Sequence, residues 1–244
     1  MTSALVSITL QALLNRRRTL LLALLGALLV LTAIIFRISG DGGGGGGDAI
    51  EISRRLLGEF GVGVLLPLVA VIVGTSALGS EIDDGTIVYL LAKPVPRWRI
   101  VLVKLVVAWL VTSLLIAPAV VIAGVIASGD MQLGIGYGLA ASVGAMEYTA
   151  IFLALSLVTS RALIIGLAYV VVWEGIVAAL FSGTRTLSVR QHVLSVAEAF
   201  GGSGAVDTAE LGLAFALSVA ALVTAAAVVL AIRRLQTVEL RGET

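Results

Sequence analysis

Residues 105–158 decide the fold, with the sequence LVVAWLVTSLLIAPAVVIAGVIASGDMQLGIGYGLAASVGAMEYTAIFLALSLV. Two apolar runs, at 105–128 and 134–158, are separated only by the short segment from Gly129 to Leu133. Asp130 and Glu147 are the only charged residues of the stretch. Because roughly 20 apolar helical residues cross the hydrocarbon core of a bilayer, this stretch predicts two membrane-spanning helices joined as a hairpin.

The composition of the whole chain supports a membrane environment. Of 244 residues, 59% are apolar and only 13% are charged, whereas a soluble domain carries about 25% charged residues. The chain therefore lacks the polar surface that a soluble protein needs. Its net charge of +1 gives no indication of a nucleic-acid partner. Without cysteine and with a single histidine, the chain offers no thiol catalysis, disulfide or Cys/His metal site, and we predict no catalytic or metal-binding residues.

Four further apolar runs of similar length occur, so we predict an all-α integral membrane protein with six transmembrane helices in a single transmembrane domain, residues 1–244. The predicted spans are 19–36, 60–79, 105–128, 134–158, 162–181 and 211–232. Residues 37–59 and 182–210 then form outer loops, and residues 80–104 form a cytoplasmic loop.

The orientation follows from the distribution of lysine and arginine. With the N-terminus inside, the inner segments carry most of the basic residues, including Arg16 to Arg18, Lys93, Lys104 and Arg233. Since cytoplasmic loops are enriched in Lys and Arg, both termini are predicted to be cytoplasmic in a multi-pass protein of the cell membrane.

Three segments outside the spans have recognisable patterns. Residues 1–18 place polar side chains at every fourth position and predict an interfacial helix. The run Gly42 to Gly47 is typical of a flexible linker. In the last outer loop, Val189, Val193, Val196 and Phe200 share one helical face and predict an amphipathic helix dipping into the outer leaflet. His192 lies on that segment without an evident partner, and we interpret it as a surface residue.

The loop between spans two and three combines an acidic turn, an apolar helical segment and two prolines. Glu81, Asp83 and Asp84 are followed by Ile87, Leu90 and Leu91, before Pro94 and Pro96 stop the helix. A solvated connector would explain the acidic residues but not the apolar ones. An amphipathic segment outside the bilayer needs the lipid interface or a protein partner for its apolar side.

This loop resembles that of ABC transporter permeases of the ABC-2 type. The matching pattern is Glu81-x-x-x-Gly85-Thr86-Ile87-x-x-Leu90-Leu91-x-Lys93-Pro94-Val95-x-Arg97, and the layout of an interfacial helix, six spans and an outer helix before span six is similar to that family over nearly the whole chain. The resemblance implies an exporter subunit that pairs with a second copy or a homologous permease, in contact with membrane lipid. It also implies that a coupling helix, with Glu81, Asp83, Asp84, Gly85, Thr86, Ile87, Leu90 and Leu91, contacts a soluble P-loop ATPase. ATP and Mg would then bind to that partner and no cofactor to this chain.

The residues themselves agree that an energy source would lie in another chain. A P-loop requires Gly-Lys followed by Ser or Thr, but the two lysines, Lys93 and Lys104, follow Ala92 and Val103. This chain therefore cannot bind ATP through a P-loop.

Two carboxylates, Glu147 and Glu174, fall inside predicted spans. An ionised side chain at the centre of a span costs about 2.5 to 3.5 kcal/mol on insertion scales, so each should face protein, water or substrate, or be protonated. They are candidates for contact with a polar substrate or for a proton-linked step, and the alternative is a hydrogen-bonded strut between helices. A stripe of small residues on span four, Gly134, Gly138, Ser142 and Ala145, favours close helix packing.

Two other classes of function stay open at this point. An ATP-independent secondary carrier would use Glu147 and Glu174 as coupling groups. An intramembrane enzyme is disfavoured, because the two glutamates form no set of base, nucleophile and orienting group. The identity of a transported substrate does not follow from the sequence.

Overall fold

The computed structural model describes residues 16–39, 46–83, 96–202, 205–206 and 210–239, and every regular element among them is helical. The elements are α1 (Arg16–Ile38), α2 (Gly46–Arg55), a π-helical segment (Leu56–Leu65), α3 (Leu66–Asp83), α4 (Arg97–Ser128), α5 (Met131–Val158), α6 (Ala162–Ala168), a second π-helical segment (Tyr169–Val177), α7 (Ala178–Leu180), a 3-10 helix (Ser182–Leu187), α8 (Val189–Gly201) and α9 (Leu213–Glu239). The all-α prediction is confirmed for this part of the chain.

Five of the predicted spans coincide with helices long and apolar enough to cross a membrane. These helical stretches are Leu20–Ile38, Ile50–Gly79, Arg97–Ser128, Met131–Val158 and Leu213–Thr237. The predicted fifth span, 162–181, corresponds to the shorter apolar helix Ala162–Val177. Its 16 residues are fewer than the roughly 20 that a helix needs to cross a bilayer core. The described residues therefore support a multi-pass helical bundle with five clear candidate spans.

The hairpin that decides the fold has the predicted form. Gly129 ends α4 with a φ of +75°, in the left-handed region that favours glycine. The Asp130 side chain then accepts a hydrogen bond from the backbone N–H of Gln132 at 2.8 Å and caps α5. A Cβ on Gly138 would lie 2.3 Å from the Val121 side chain. The small residues of α5 thus allow α4 to pack at close range, as predicted.

The other side of α5 is covered by α8, which corresponds to the predicted amphipathic helix of the last loop. A Cβ on Gly136 would come within 2.4 Å of the Gly201 backbone, and one on Gly144 would come within 2.3 Å of the Val193 side chain. Val193 and Val196 are buried, as the predicted apolar face requires, whereas Phe200 is exposed. The amphipathic pattern therefore packs most of its apolar face on protein.

Several predicted boundaries shift in the structure. The helix leading into the second span begins at Gly46, far before the predicted Phe60, because Ser53 and Leu57 are already fully buried. The helix α4 begins at Arg97, so the end of the predicted loop 80–104 is helical. The predicted interfacial segment before Arg16 and most of the glycine run lie outside the described residues.

Candidate functional site

Glu147 on α5 binds His192 on α8 inside the bundle. The Nδ1 atom of His192 lies 3.1 Å from both carboxylate oxygens of Glu147. Both side chains are 1% exposed. The prediction that His192 is a surface residue is wrong, because the apolar face of α8 packs on α5 and carries His192 into the interior.

Both ring nitrogens of His192 face acceptors. Nε2 lies 3.0 Å from the carbonyl oxygen of Thr186, which can only accept, so Nε2 carries a hydrogen. Nδ1 and Glu147 then share one proton, whether it resides on the imidazole or on the carboxyl group. The pair is therefore electrically neutral as a unit, which removes most of the cost of burying either charge.

The environment shifts the titration of His192. Burial by itself would lower the pKa of His192, but the hydrogen bond and negative charge of Glu147, together with the Thr186 carbonyl, outweigh it and raise this pKa above its ordinary value. The charged imidazolium is thus stabilised in the folded protein.

Glu174, in the second π-helical segment, binds the start of the same helix, α8. Its carboxylate accepts hydrogen bonds from the Ser188 hydroxyl and, at 2.9 Å, from the backbone N–H of Val189. The Tyr169 hydroxyl donates a longer bond of 3.4 Å. Backbone N–H groups at a helix N-terminus favour a carboxylate, so Glu174 stabilises α8 where the helix begins.

The two intramembrane candidates are therefore brought together around one element. Glu147 and Glu174 lie on consecutive predicted spans, and both hold the first turns of α8 against the bundle. The sequence contained only one signal of this arrangement: two carboxylates in spans and a single histidine in the neighbouring loop.

A second polar contact lies at the opposite end of the bundle, where α3 ends and α4 begins; we call this the loop end. The Lys104 ammonium group donates to Glu81 Oε1 and to the Ala77 carbonyl oxygen, both at 2.7 Å. Lys104 is 2% exposed although it is a lysine in an apolar helix. The contact ties together the two helices that flank the predicted coupling loop.

The predicted coupling residues can be placed only in part. Glu81 forms the Lys104 ion pair, and Asp83 is the last residue of α3. The other predicted residues, Asp84, Gly85, Thr86, Ile87, Leu90 and Leu91, lie outside the described part of the chain. Sequence reasoning treated Lys104 only as one of the inside positive charges and missed its pairing with Glu81.

A large apolar cavity of about 930 Å³ lies between α4, α5, α8 and α9. Trp109, Met146 and Phe200 line it together with the small residues Ala220 and Ala221 of α9. Glu147 is the carboxylate among its lining residues. Apolar cavities of this size between helices can hold drug-sized molecules.

An all-helical bundle with several membrane-crossing helices and polar contacts buried between them is a multi-pass membrane protein. Its sequence matches the family model described as "ABC-2 family transporter protein" over residues 14–184, which is most of the chain. The chain belongs to this family, whose permeases are the membrane subunits of transporters, and the predicted resemblance is confirmed. No curated protein matches the chain.

Proposed function

We propose that this chain is the membrane-spanning subunit of an ATP-driven exporter, coupled through residues 80–104 to a separate soluble P-loop ATPase. Membership of the ABC-2 family supports the proposal most directly and favours it over an ATP-independent carrier. ATP and Mg would bind to the partner, and a second copy or a homologous permease would complete the transporter.

The Lys104–Glu81 pair is the structural observation that carries the coupling part of the proposal. The buried ammonium group bridges α3, which ends just before residues 84–95 in the sequence, and α4, which begins just after them. A displacement of that segment would then move both helices together, as alternating access by near-rigid bodies requires.

The proposed topology has six spans with both termini in the cytoplasm. Ala162–Val177 is continued by Ala178–Leu180, so a helical stretch extends from residue 162 to residue 180. If this stretch crosses the membrane, the arginines before span one and Arg233 and Arg234 after span six lie on the same side, in agreement with the positive-inside rule. We assign this side to the cytoplasm of the cell.

The coupling proposal is tested by copurification and ATP hydrolysis. The permease is coexpressed with a candidate P-loop ATPase, and the amount of bound ATPase and the ATP-dependent transport by the complex are measured in vesicles. Gly85→Leu should reduce ATPase binding, and Glu81→Gln should weaken the response of ATPase activity to the permease. Glu198→Gln, the same chemical change at an exposed glutamate of α8, is the matched control.

The expected result is a loss specific to the loop end. If Gly85→Leu and Glu81→Gln keep the complex and its ATP-dependent transport at the level of Glu198→Gln, residues 80–104 do not couple the two subunits. If the wild-type chain transports without any ATPase, the exporter proposal itself is overturned.

A further inference from the structure

A polar pocket of about 310 Å³ lies at the hairpin end of the bundle, the end where α4 meets α5. It is lined by Glu51, Arg54, Arg55, Gly58, Glu59, Tyr137, Arg190, Leu194 and Val206. The charged residues of α2 and of the π-helical segment after it recur at helical spacing and face the first turn of α8. We call this the outer basic pocket.

The pocket concentrates arginine on the side of the protein where the charge pattern predicts few basic residues. With the N-terminus inside, the predicted outer segments carry five basic residues, and three of them, Arg54, Arg55 and Arg190, line this pocket; the other two are Arg37 and Arg185. Among the lining residues that the structure describes, the two glutamates, Glu51 and Glu59, leave one positive charge in excess.

The internal pairing of these charges is uneven. Glu51 forms a hydrogen-bonded ion pair with Arg55 at 2.9 Å and lies 3.6 Å from Arg54. Arg190, by contrast, reaches Glu59 only at 4.0 Å, and Glu59 is 75% exposed. An ion pair of that length and exposure contributes little stability.

The guanidinium group of Arg190 also has an unused donor. Its Nε atom is buried and meets no hydrogen-bond acceptor within the ranges that the structure describes. A buried atom is closed to a ligand as well as to water, so a bound oxyanion would meet the terminal N–H groups of Arg190, whose side chain is 29% exposed. Guanidinium groups match the geometry of phosphate oxygens particularly well.

We propose that the outer basic pocket binds a singly charged phosphate group, with Arg190 as its main ligand. One excess positive charge suits a monoanion, and the pocket volume exceeds what a carboxylate would need. Leu194 and Val206 add an apolar wall for carbon atoms attached to the phosphate. The same chemistry is offered by a phospholipid headgroup and by a free phosphate. The site does not depend on coupling to an ATPase.

The test uses the purified full-length chain in neutral detergent, without any ATPase. Calorimetric titrations are carried out with short-chain phosphatidylglycerol, with diacylglycerol of the same chain length, and with inorganic phosphate. Arg190→Gln should weaken binding at least about tenfold, because it removes charge-assisted hydrogen bonds. Arg185→Gln, at an outer arginine paired with Glu210 outside the pocket, is the matched control.

A second variant blocks the pocket without changing its charge. A Cβ on Gly58 would lie 3.6 Å from both the Tyr137 hydroxyl and the Leu194 side chain, so Gly58→Leu extends into the space between them. It should also weaken binding, even if Arg190→Gln folds poorly.

The two ligands separate the sources of the phosphate. If phosphatidylglycerol binds in a way that depends on Arg190 and inorganic phosphate does not bind, the ligand is a lipid headgroup. If inorganic phosphate binds in that way and phosphatidylglycerol does not, the ligand is a soluble phosphate. The proposal is overturned if neither ligand binds, if diacylglycerol binds equally well, or if Arg190→Gln and Arg185→Gln behave alike.

Discussion

The buried Glu147–His192 pair gives a quantitative prediction about stability. Glu147→Leu would leave the imidazole of His192 without its partner, and His192→Leu would do the same to the carboxylate. Because each group is 1% exposed and water cannot replace the lost contact, each single variant should be strongly destabilised. The double variant Glu147→Leu/His192→Leu removes both polar groups at once.

The magnitude follows from the burial of the pair. Breaking a buried ion pair by removing one partner costs about 3 to 5 kcal/mol, whereas replacing both partners with apolar residues is often neutral. For a domain of this size, 1 kcal/mol corresponds to a shift in Tm of about 2 to 4 °C. Each single variant should therefore melt about 6 to 20 °C below the wild type, and the double variant should recover most of that loss.

Thermal unfolding of the purified chain in detergent, followed by tryptophan fluorescence, measures the four Tm values. A matched exposed variant, Glu198→Leu, should melt within about 2 °C of the wild type. The reasoning would be refuted if the losses of the two single variants simply add in the double variant, because independent effects mean that the two side chains do not interact.

Two further predictions concern the same helix packing. The first concerns pH. Because the folded-state pKa of His192 is raised, its contribution to stability is fully present below the unfolded pKa of about 6.5 and is lost as the pH rises through the folded pKa. The Tm of the wild type should therefore fall as the pH rises between these two pKa values, and the Tm of Glu147→Gln should fall less steeply; equal slopes would contradict the prediction. The second concerns the contact between α5 and α8. Gly144→Ala would place a Cβ 2.3 Å from the Val193 side chain and should cost about 1 to 3 kcal/mol, whereas Gly183→Ala, which has nothing within 4 Å, should melt like the wild type. If circular dichroism melts rank the two variants in the opposite order, the close contact is excluded.

Much of the fold follows from apolar run length and turn chemistry. The hairpin between α4 and α5 could be predicted because only the short segment from Gly129 to Leu133 separates two apolar runs of span length. The structure adds that Gly129 is left-handed and that Asp130 caps α5. The start of the second long helix could not be predicted, because residues 46–55 are mostly polar or glycine and do not continue the apolar run, although Ser53 is fully buried in the structure. Helix boundaries outside the apolar runs depend on such tertiary contacts.

The candidate site was predictable only as separate residues. Glu147 and Glu174 stood out because a charge in an apolar run is costly, and this argument needs no structure. Their partners did not stand out: His192 is 45 residues from Glu147 in the sequence, and the Val189 N–H that binds Glu174 is a backbone group. Lys104 was hidden for a related reason, because its position near the end of a span suits both a snorkelling side chain and a buried ion pair.

An ATP-driven exporter and a secondary carrier make different demands on the contacts that hold α8. Glu147 and Glu174 lie on different helices and both hold the N-terminal half of α8, so both contacts stay closed only if the two helices and α8 move together. In an ATP-driven exporter α8 would move with the bundle without taking part in energy coupling. Its contacts with Glu147 and Glu174 would need to stay closed through the transport cycle. In a carrier that uses these glutamates as coupling groups, protonation of either one would have to release α8 in every turnover. Such a release would have to separate the buried, hydrogen-bonded side chains of Glu147 and His192, so a mechanism that keeps this pair closed is the less costly of the two.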